Sequence, residues 1–442
     1  MGKLRVESSE LRDSQRRRRD RPWQSVVAVV IVSLLHLAPA GACTGDCDGD
    51  GAVDIIDLVT GVNISFGTLP LEECPSFDRD RDERVSVDEL IAAVGYALDV
   101  CSSQTRAFVI TSNFAAGSFA TIDLDAPRTV SGSSPQRRVY RDAVVRTRDD
   151  LVYVINRRFG DNLQVLDPSN DFRTRLQCST GNGTNPHDIA FAGDDKAYIT
   201  LFEATTLLIV NPAPHPNCSD FVRGTIDLSA FADADGVPDM DLMAVVGDRL
   251  YVALERLDIN TILRLPAGKG AIAVIDIGTD TVVDRIDLSG ENPFSATKGL
   301  TVWNDKLYVA QAGRFNVMDG GIERIDLATH QAEGFFVTEA DLGGDVTDFV
   351  LVSDRLAYAI VSRPGFSTAL VGFDPMTRMV TRTVAQESGY TLFDIELNDR
   401  GELFLADRTR QRDGVGIYRA ADGIPLADRI DVGVSPFEIV FF

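Results

Sequence analysis

Short apolar stretches recur along residues 104–442, and within each one apolar and polar positions alternate as they do in half-buried β-strands. The phrase at residues 248–253, Asp-Arg-Leu-Tyr-Val-Ala, returns at residues 305–310 with a single change. Looser copies keep an aromatic residue at the tyrosine position: Phe108, Tyr153, Tyr198, Tyr358 and Phe404. Successive aromatic positions lie 45, 45, 53, 57, 50 and 46 residues apart, a spacing that is typical of repeat architectures.

Each repeat contains several strand-like runs. Residues 188–228, for example, hold four β-branched or aromatic runs separated by turn residues, which predicts a four-stranded antiparallel sheet. Seven such repeats without helical periodicity predict an all-β fold, a seven-bladed β-propeller over residues 104–442. The segment begins with a second-strand copy at residues 107–110 and ends with a first-strand copy at residues 435–442. We therefore expect the last strand to complete the blade that the first strands begin, which removes two exposed sheet edges.

The Leu-Tyr-Val phrase and the run at residues 272–283 resemble the repeats of YVTN/YncE-like and lactonase-like propellers. The resemblance implies the propeller fold. It also implies one alternative function, a metal-dependent hydrolase with its site at the central channel.

Between residues 43 and 103 the pattern changes to two acidic loops, each followed by an amphipathic helical pattern. Acids at positions 1, 3, 5, 9 and 12 of a tight loop, with a backbone carbonyl at position 7, are the oxygen ligands that calcium requires. The first loop offers Asp46, Asp48, Asp50, Ala52, Asp54 and Asp57. The second loop, 32 residues later, offers Asp78, Asp80, Asp82, Arg84, Ser86 and Glu89. Gly51 occupies position 6 of the first loop, whereas Glu83 occupies it in the second and would need a costly positive φ.

This loop pair resembles the EF-hand-like repeats of dockerin modules. The resemblance implies calcium as a cofactor and a small α-helical calcium domain over residues 43–103. It also implies a cohesin-like partner, which dockerins contact near loop positions 10 and 11; here those positions are Ile55-Ile56 and Val87-Asp88. The alternative is that the two helices pack on each other or on the propeller.

The N-terminal region predicts export. A basic block at residues 16–19, an apolar run at 26–37 and small residues at 38–42 predict a signal peptide over residues 1–42. We expect a secreted, periplasmic or cell-surface protein with no membrane span after signal removal. Cys43 follows Ala-Gly-Ala, so a lipid anchor is the alternative to simple cleavage. Six cysteines predict disulfides: Cys178 should pair with Cys218, and the four at positions 43–101 can connect in three ways.

Composition restricts the partners. The chain has 442 residues, 44% of them hydrophobic, which is enough for a large core and more than one domain. A net charge of −23 argues against nucleic acid as a partner and is compatible with cation binding.

The position that opens each first strand should face the channel mouth, and it is mostly acidic. These channel candidates are Asp142, His187, Asp188, Asp241, Lys298, Asp348, Asp394 and Glu438. They could form a ring that binds a cation or a polar ligand, or each acid could accept hydrogen bonds from backbone N–H groups of its own or the next blade.

A long insertion carries Asp233, Asp235 and Asp239, and resembles the calcium repeats of thrombospondin type 3 segments; a solvated acidic loop is the alternative. Residues 254–270 and 311–321 form two further long loops that should lie on one face. The sequence contains no HExxH motif and no phosphate loop. We therefore expect a secreted calcium-binding protein that acts as a binding or scaffold protein for an unknown protein or small molecule, rather than an enzyme. The hydrolase and a dockerin-type tether to a cell-surface scaffold are the alternatives.

Overall fold

The structure is a computed structural model that describes residues 44–48, 53–78, 83–98, 104–132, 137–214, 217–261, 264–295 and 297–442. All of these residues belong to one compact unit, Pro39–Phe442. The predicted signal peptide and Cys43 lie outside the described residues.

The helices are α1 (Ile55–Ser65), α2 (Val87–Leu98) and α3 (Glu339–Leu342), with short 3₁₀ turns at Leu71–Glu73, Pro75–Phe77, Pro168–Asn170, Cys218–Asp220 and Ser229–Phe231. The strands are β1 (Arg106–Ser112), β2 (Gly117–Asp123), β3 (Val130–Ser131), β4 (Arg138–Val139), β5 (Ala143–Arg148), β6 (Leu151–Asn156), β7 (Asn162–Asp167), β8 (Arg173–Ser179), β9 (Pro186–Gly193), β10 (Lys196–Leu201), β11 (Thr206–Val210), β12 (Val222–Asp227), β13 (Met240–Val246), β14 (Arg249–Leu254), β15 (Leu257–Asp258), β16 (Leu265–Pro266), β17 (Lys269–Asp276), β18 (Thr281–Glu291), β19 (Thr301–Trp303), β20 (Lys306–Gln311), β21 (Gly321–Asp326), β22 (Gln331–Thr338), β23 (Asp345–Ser353), β24 (Leu356–Arg363), β25 (Ser367–Asp374), β26 (Met379–Ser388), β27 (Leu392–Leu397), β28 (Glu402–Asp407), β29 (Gly414–Arg419) and β30 (Pro436–Phe441).

Seven antiparallel sheets follow one another along the chain as blades, which confirms the predicted seven-bladed propeller, and β15 and β16 form a separate two-stranded sheet. Blade 1 is β5–β8, blade 2 is β9–β12, and blade 3 is β13, β14, β17 and β18; blade 4 is β19–β22, blade 5 is β23–β26, blade 6 is β27–β29, and blade 7 is β30 with β1–β4. The first strands of blades 1, 2 and 3 contact one another in order, as do those of blades 5, 6, 7 and 1, so that first strands face the centre. We call the face on which these strands begin the upper face; it also carries the loops between second and third strands.

The ring closes as the sequence predicts. Strand β30 pairs antiparallel with β1, so that Ile439 lies opposite Val109 and Val440 lies opposite Phe108. The C-terminal strand therefore supplies the first strand of blade 7 and covers the edge that β1 would otherwise expose.

The aromatic residue of the repeated phrase packs between blades, and its polar end is satisfied by the next blade. Tyr198 and Tyr358 are fully buried. The hydroxyl of Tyr198 donates to Asp280 Oδ1 at 2.6 Å, in the turn between the third and fourth strands of blade 3. The hydroxyl of Tyr358 donates to the Ala420 carbonyl at 2.6 Å, in the equivalent turn of blade 6.

The N-terminal module folds around the two predicted helices. Helix α1 begins with a capping box, in which Asp54 accepts from the Asp57 N–H and Asp57 accepts from the Asp54 N–H. Helix α2 begins in the same way with Ser86 and Glu89.

Two disulfides lie within the described residues. Cys47 pairs with Cys74 in the N-terminal module, and Cys178 pairs with Cys218, as predicted. The second bond joins β8 of blade 1 to the segment before β12 of blade 2. Disulfides suggest an extracytoplasmic location. None of the described helices has the length and hydropathy needed to cross a bilayer.

Candidate functional site

A cavity of about 720 Å³ opens on the upper face. Its lining comes from the starts of first strands and from the loops between second and third strands, and it draws on blades 1, 4, 5, 6 and 7. Because five of the seven blades contribute, the cavity lies over the mouth of the central channel. This position is where propellers and other closed sheets commonly bind ligands.

The lining is mainly aromatic. Six rings border the cavity: Phe114, Phe294, Phe315, Tyr390, Phe393 and Phe437. Neighbouring rings meet edge to face, with centroids 6.2 Å apart for Phe114 and Phe437 and 6.0 Å apart for Phe294 and Phe315. Phe114 is 57% exposed and Phe315 is 50% exposed. Aromatic surface that stays exposed inside a concave site is available for contact with a ligand.

Charged groups lie on the blade 1 side of this cavity. Arg157 donates to Asp142 Oδ1 through Nε at 2.8 Å and approaches the same oxygen with Nη2 at 2.7 Å. Arg141 also lines the cavity, and no carboxylate pairs with it among the described residues. Of the predicted channel candidates, Asp142 is thus the one that borders the cavity.

A third arginine lies behind the aromatic wall. The guanidinium of Arg408 lies 4.6 Å from the ring centroid of Phe114, 5.2 Å from that of Phe393 and 5.5 Å from that of Phe437. It also donates to the backbone carbonyl of Pro436 at 2.8 Å, and burial lowers the pKa of Arg408. The wall of the cavity is therefore fixed by cation–π contacts that join blades 6 and 7.

Below the cavity, the predicted channel acids join successive blades. Asp188 accepts from the N–H of Ile189 in its own strand at 2.9 Å, and from the N–H of Met243 in the next blade at 2.8 Å. A bond to the next blade recurs at Asp348 with Ile395 (2.9 Å), Asp394 with Ile439 (2.8 Å) and Glu438 with Val145 (2.6 Å). These contacts agree with the alternative in which the acids satisfy backbone N–H groups.

Two buried cations complete the channel. Arg146 lies between Asp188 and Glu438, with N–O distances of 2.9 and 2.8 Å. Burial alone would lower the pKa of Arg146, but the carboxylates of Asp188 and Glu438 raise it above its usual value. The sequence indicated Lys298 but not Arg146, which lies four residues after the expected position in its strand.

Lys298 occupies the other side of the channel. Its Nζ lies 3.0 Å from Glu396 Oε1 and 3.8 Å from Asp348 Oδ1, and it donates to the Ile395 carbonyl at 2.5 Å. Burial raises the pKa of Asp348 to about 6 and that of Glu438 to about 8. Backbone N–H groups of Phe349 and Ile395 donate to Asp348, and the Val145 N–H and Arg146 donate to Glu438.

His187 and Asp241 form a separate buried pair in blades 2 and 3. His187 Nδ1 lies 2.8 Å from Asp241 Oδ1, and its ring stacks on Phe202 with centroids 4.3 Å apart. Burial raises the pKa of Glu255 well above its usual value, and the neighbouring carboxyl of Asp241 adds to this rise. The pair lies in blades that do not border the upper cavity.

The acidic insertion precedes β13 on the upper face. Asp235 accepts from the N–H groups of Val237 and Ile259, and Asp239 accepts from the N–H of Leu257 at 2.8 Å. Burial raises the pKa of Asp239 to about 7. These bonds join the insertion to the loop at residues 254–270, which also lies on the upper face, as does the loop at residues 311–321.

The first acidic loop brings three carboxylates together. Ligand oxygens of Asp46, Asp48 and Asp57 lie within 4.8 Å of one another, and no other group of three acidic, histidine or cysteine residues in the described part of the chain does so. Oxygens on one calcium ion are at most about 5 Å apart, twice the Ca–O distance, so this donor set fits calcium. Asp54 and Asp57 both cap α1, and the oxygens of Asp57 accept the N–H groups of Asp54 and Cys47 at 2.9 and 3.2 Å. Asp50 and Ala52 lie outside the described residues.

The second loop keeps part of the expected geometry. Glu83 adopts the positive φ, 67°, that the sequence predicts for position 6, and its N–H donates to Asp78 Oδ2 at 3.0 Å. Ser86 and Glu89 form the cap of α2. Arg84 occupies position 7 of the loop, the position whose backbone carbonyl is the expected ligand. Asp80 and Asp82 lie outside the described residues.

Comparisons with known proteins support the fold only. No protein-family model matches the chain, and no curated protein matches it. A functionally unknown protein from Desulfotomaculum acetoxidans DSM 771 is similar in structure, with a TM-score of 0.50 and 12% identity over 76% of this chain and 98% of that one. A quinonprotein alcohol dehydrogenase-like protein from Bacteroides thetaiotaomicron VPI-5482 has a TM-score of 0.50 and 10% identity over 76% of this chain and 78% of that one. At these identities the likeness shows a shared propeller architecture and carries no activity with it.

Proposed function

We propose that this protein is an exported binding protein that holds a small molecule in the aromatic cavity of its upper face. One observation supports the proposal above all others: six aromatic rings and the charged groups of Arg141, Asp142 and Arg157 border one cavity of about 720 Å³. Ligand sites have this combination of an apolar lining and a few polar groups that fix orientation. The size is also in the range of small-molecule sites.

The channel contacts favour binding over hydrolysis. Asp188 and Asp348 each accept two backbone N–H groups, and Arg146 or Lys298 pairs with the same carboxylates. A channel metal would have to compete for these oxygens. The lactonase-like hydrolase therefore stays a prediction without a structural observation in its favour.

A neutral solvatochromic dye, Nile red, tests the cavity. We expect saturable binding to the wild type, and about 2- to 12-fold weaker binding by Phe315→Ala, because one aromatic contact contributes roughly 0.5–1.5 kcal/mol. Phe159→Ala is the matched control, since Phe159 is 68% exposed on the upper face but does not line the cavity. Equal binding by all three proteins, or no saturable binding, would contradict the proposal.

We further propose that the N-terminal module binds calcium through Asp46, Asp48 and Asp57, and that the ion stabilises this module. The three converging carboxylates support it. Isothermal titration should give calcium binding that Asp48→Asn weakens and that Glu72→Gln, an exposed acid of the same module, leaves unchanged. A thermal transition that does not move on addition of a chelator would contradict the stabilising role.

Attachment to a scaffold is a second candidate function, favoured by the surface of α1. Ile55, Ile56 and Val59 are 77%, 70% and 55% exposed, and a contiguous apolar helix face of this kind is typical of a surface that a partner covers. Surface plasmon resonance on an immobilised cohesin-type domain tests it. Binding should be lost in Ile55→Asp, and failure of the wild type to bind would contradict it.

A further inference from the structure

The upper cavity carries more positive than negative charge, although the chain as a whole has a net charge of −23. Arg157 is balanced by Asp142, whose Oδ1 lies close to both Nε and Nη2 of the guanidinium. Arg141 borders the cavity without a carboxylate partner in the described part of the chain, and the partly buried guanidinium of Arg408 packs against three of the wall rings. The local field inside the cavity therefore favours an anionic group.

The apolar part of the cavity fits a flat molecule. Phe114 and Phe437 meet edge to face on one side, and Phe294 and Phe315 do so on another. Aromatic side chains present flat faces and edges, so they pack best against a planar ring system. Arg408 packs on the ring of Phe114, which is still 57% exposed, so part of this ring stays available to the ligand.

The position of the Phe114 ring is fixed by the backbone conformation of its loop. Phe114 has a φ of 63°, in the left-handed region that a bulky residue rarely adopts. The loop is held in this conformation because Ser112 Oγ accepts from the Phe114 N–H at 3.0 Å and Asn113 Oδ1 accepts from the Ala116 N–H at 2.8 Å. These bonds fix the loop so that the Phe114 ring remains 57% exposed at the cavity.

From these features we infer that the ligand is a planar aromatic molecule that carries a carboxylate or a similar anion. The anion binds Arg141 and the Nη groups of Arg157 on the blade 1 side, and the ring system lies among the six aromatic side chains. Asp142 orients Arg157 for this contact through its bonds to Nε and Nη2. The inference rests on the proposed function and specifies the ligand class of the same site.

Three probes of one shape and different charge test the inference: 2-naphthoate, 2-naphthamide and 2-naphthylmethylammonium, each as a competitor of bound Nile red. The naphthoate should displace the dye at a concentration at least about tenfold lower than the amide, because hydrogen bonds between ionised groups and their partners are the stronger ones. Arg141→Gln should remove most of this preference. Arg158→Gln, an exposed neighbour that does not line the cavity, should keep it.

A second readout needs no variant. Raising the sodium chloride concentration should weaken the binding of naphthoate and leave that of the amide nearly unchanged, since salt screens exposed charges. If the amide or the ammonium compound binds as well as naphthoate while Nile red still binds, the inference is overturned and the proposed function stands. If neither Nile red nor any of the three probes binds, both are overturned.

Discussion

Replacing Ile439 by alanine tests how the ring is closed. Ile439 is fully buried, pairs with Val109 across the β30–β1 ladder, and belongs to an apolar cluster with Phe404 of blade 6. Truncation of a buried isoleucine to alanine costs about 2–5 kcal/mol, through lost burial and the cavity left behind. A typical domain is stable by only about 5–15 kcal/mol, so we expect a large loss of stability from this one change.

Urea unfolding, followed by two signals, measures the effect. With a slope of about 3 kcal/mol per molar urea, the midpoint should fall by roughly 1 M. Far-UV circular dichroism reports the whole fold. Trp303, the one tryptophan that follows the predicted signal peptide, lies in blade 4, three blades away from Ile439 around the ring. Because closure makes the ring one cooperative unit, both signals should shift together.

Val283→Ala is the control, because Val283 is 50% exposed on the outer strand of blade 3 and should change stability by less than about 0.5 kcal/mol. A midpoint that is unchanged in Ile439→Ala would refute the reasoning about closure. A shift in circular dichroism without a matching shift in Trp303 fluorescence would show that blade 7 opens by itself.

Two further predictions concern bonds that hold the upper and outer parts of the ring. Replacing both Cys178 and Cys218 by serine should lower the free energy of unfolding by about 4 kcal/mol, the loop-closure entropy for their separation of 40 residues, measured as a drop in the urea midpoint against the oxidised wild type. Burial raises the pKa of Glu339 from 4.5 to about 8, although the hydrogen bonds that Glu339 accepts from the N–H groups of Gly320 and Val346 act to lower it. Between these two pH values the unfolded chain loses a proton that the folded protein keeps, so stability should fall as pH rises. Glu339→Gln should flatten that fall, and an identical pH profile in the variant would contradict the assignment to Glu339.

The periodic part of the fold could be predicted because each blade repeats the same alternation. The buried tyrosine of the second strand recurs at Tyr198 and Tyr358, and counting such positions leads to seven blades and to the closing strand. The irregular outer edges could not be predicted from that pattern. Blade 6 lacks a fourth strand in its sheet and has only the isolated bridges Val415–Ile430 and Tyr418–Pro425, since Pro425 has no N–H to continue a ladder.

The candidate site was harder to predict, because it depends on residues far apart in the chain. Phe114 and Phe437 contact each other across more than 300 residues of sequence, and a lone aromatic residue in a loop has no period that would reveal it. Arg-Phe pairs occur at residues 158–159 and 314–315 in equivalent loops of two blades, but Phe315 lines the cavity and Phe159 does not, so the pair does not identify the site. The sequence located the channel acids, but their hydrogen-bond partners in the next blade depend on how neighbouring blades are aligned, which the sequence pattern does not give.

The bonds from each channel acid to the next blade have a consequence for how this protein can change. Asp188, Asp348 and Asp394 bind main-chain N–H groups of the following strand, which every residue except proline provides. These hydrogen bonds therefore do not depend on which side chain the receiving position carries, although buried receivers such as Ile395 and Ile439 must still fit the apolar packing around them. A ring assembled in this way can exchange its upper loops, and with them its ligand, while the same acids continue to hold neighbouring blades in place.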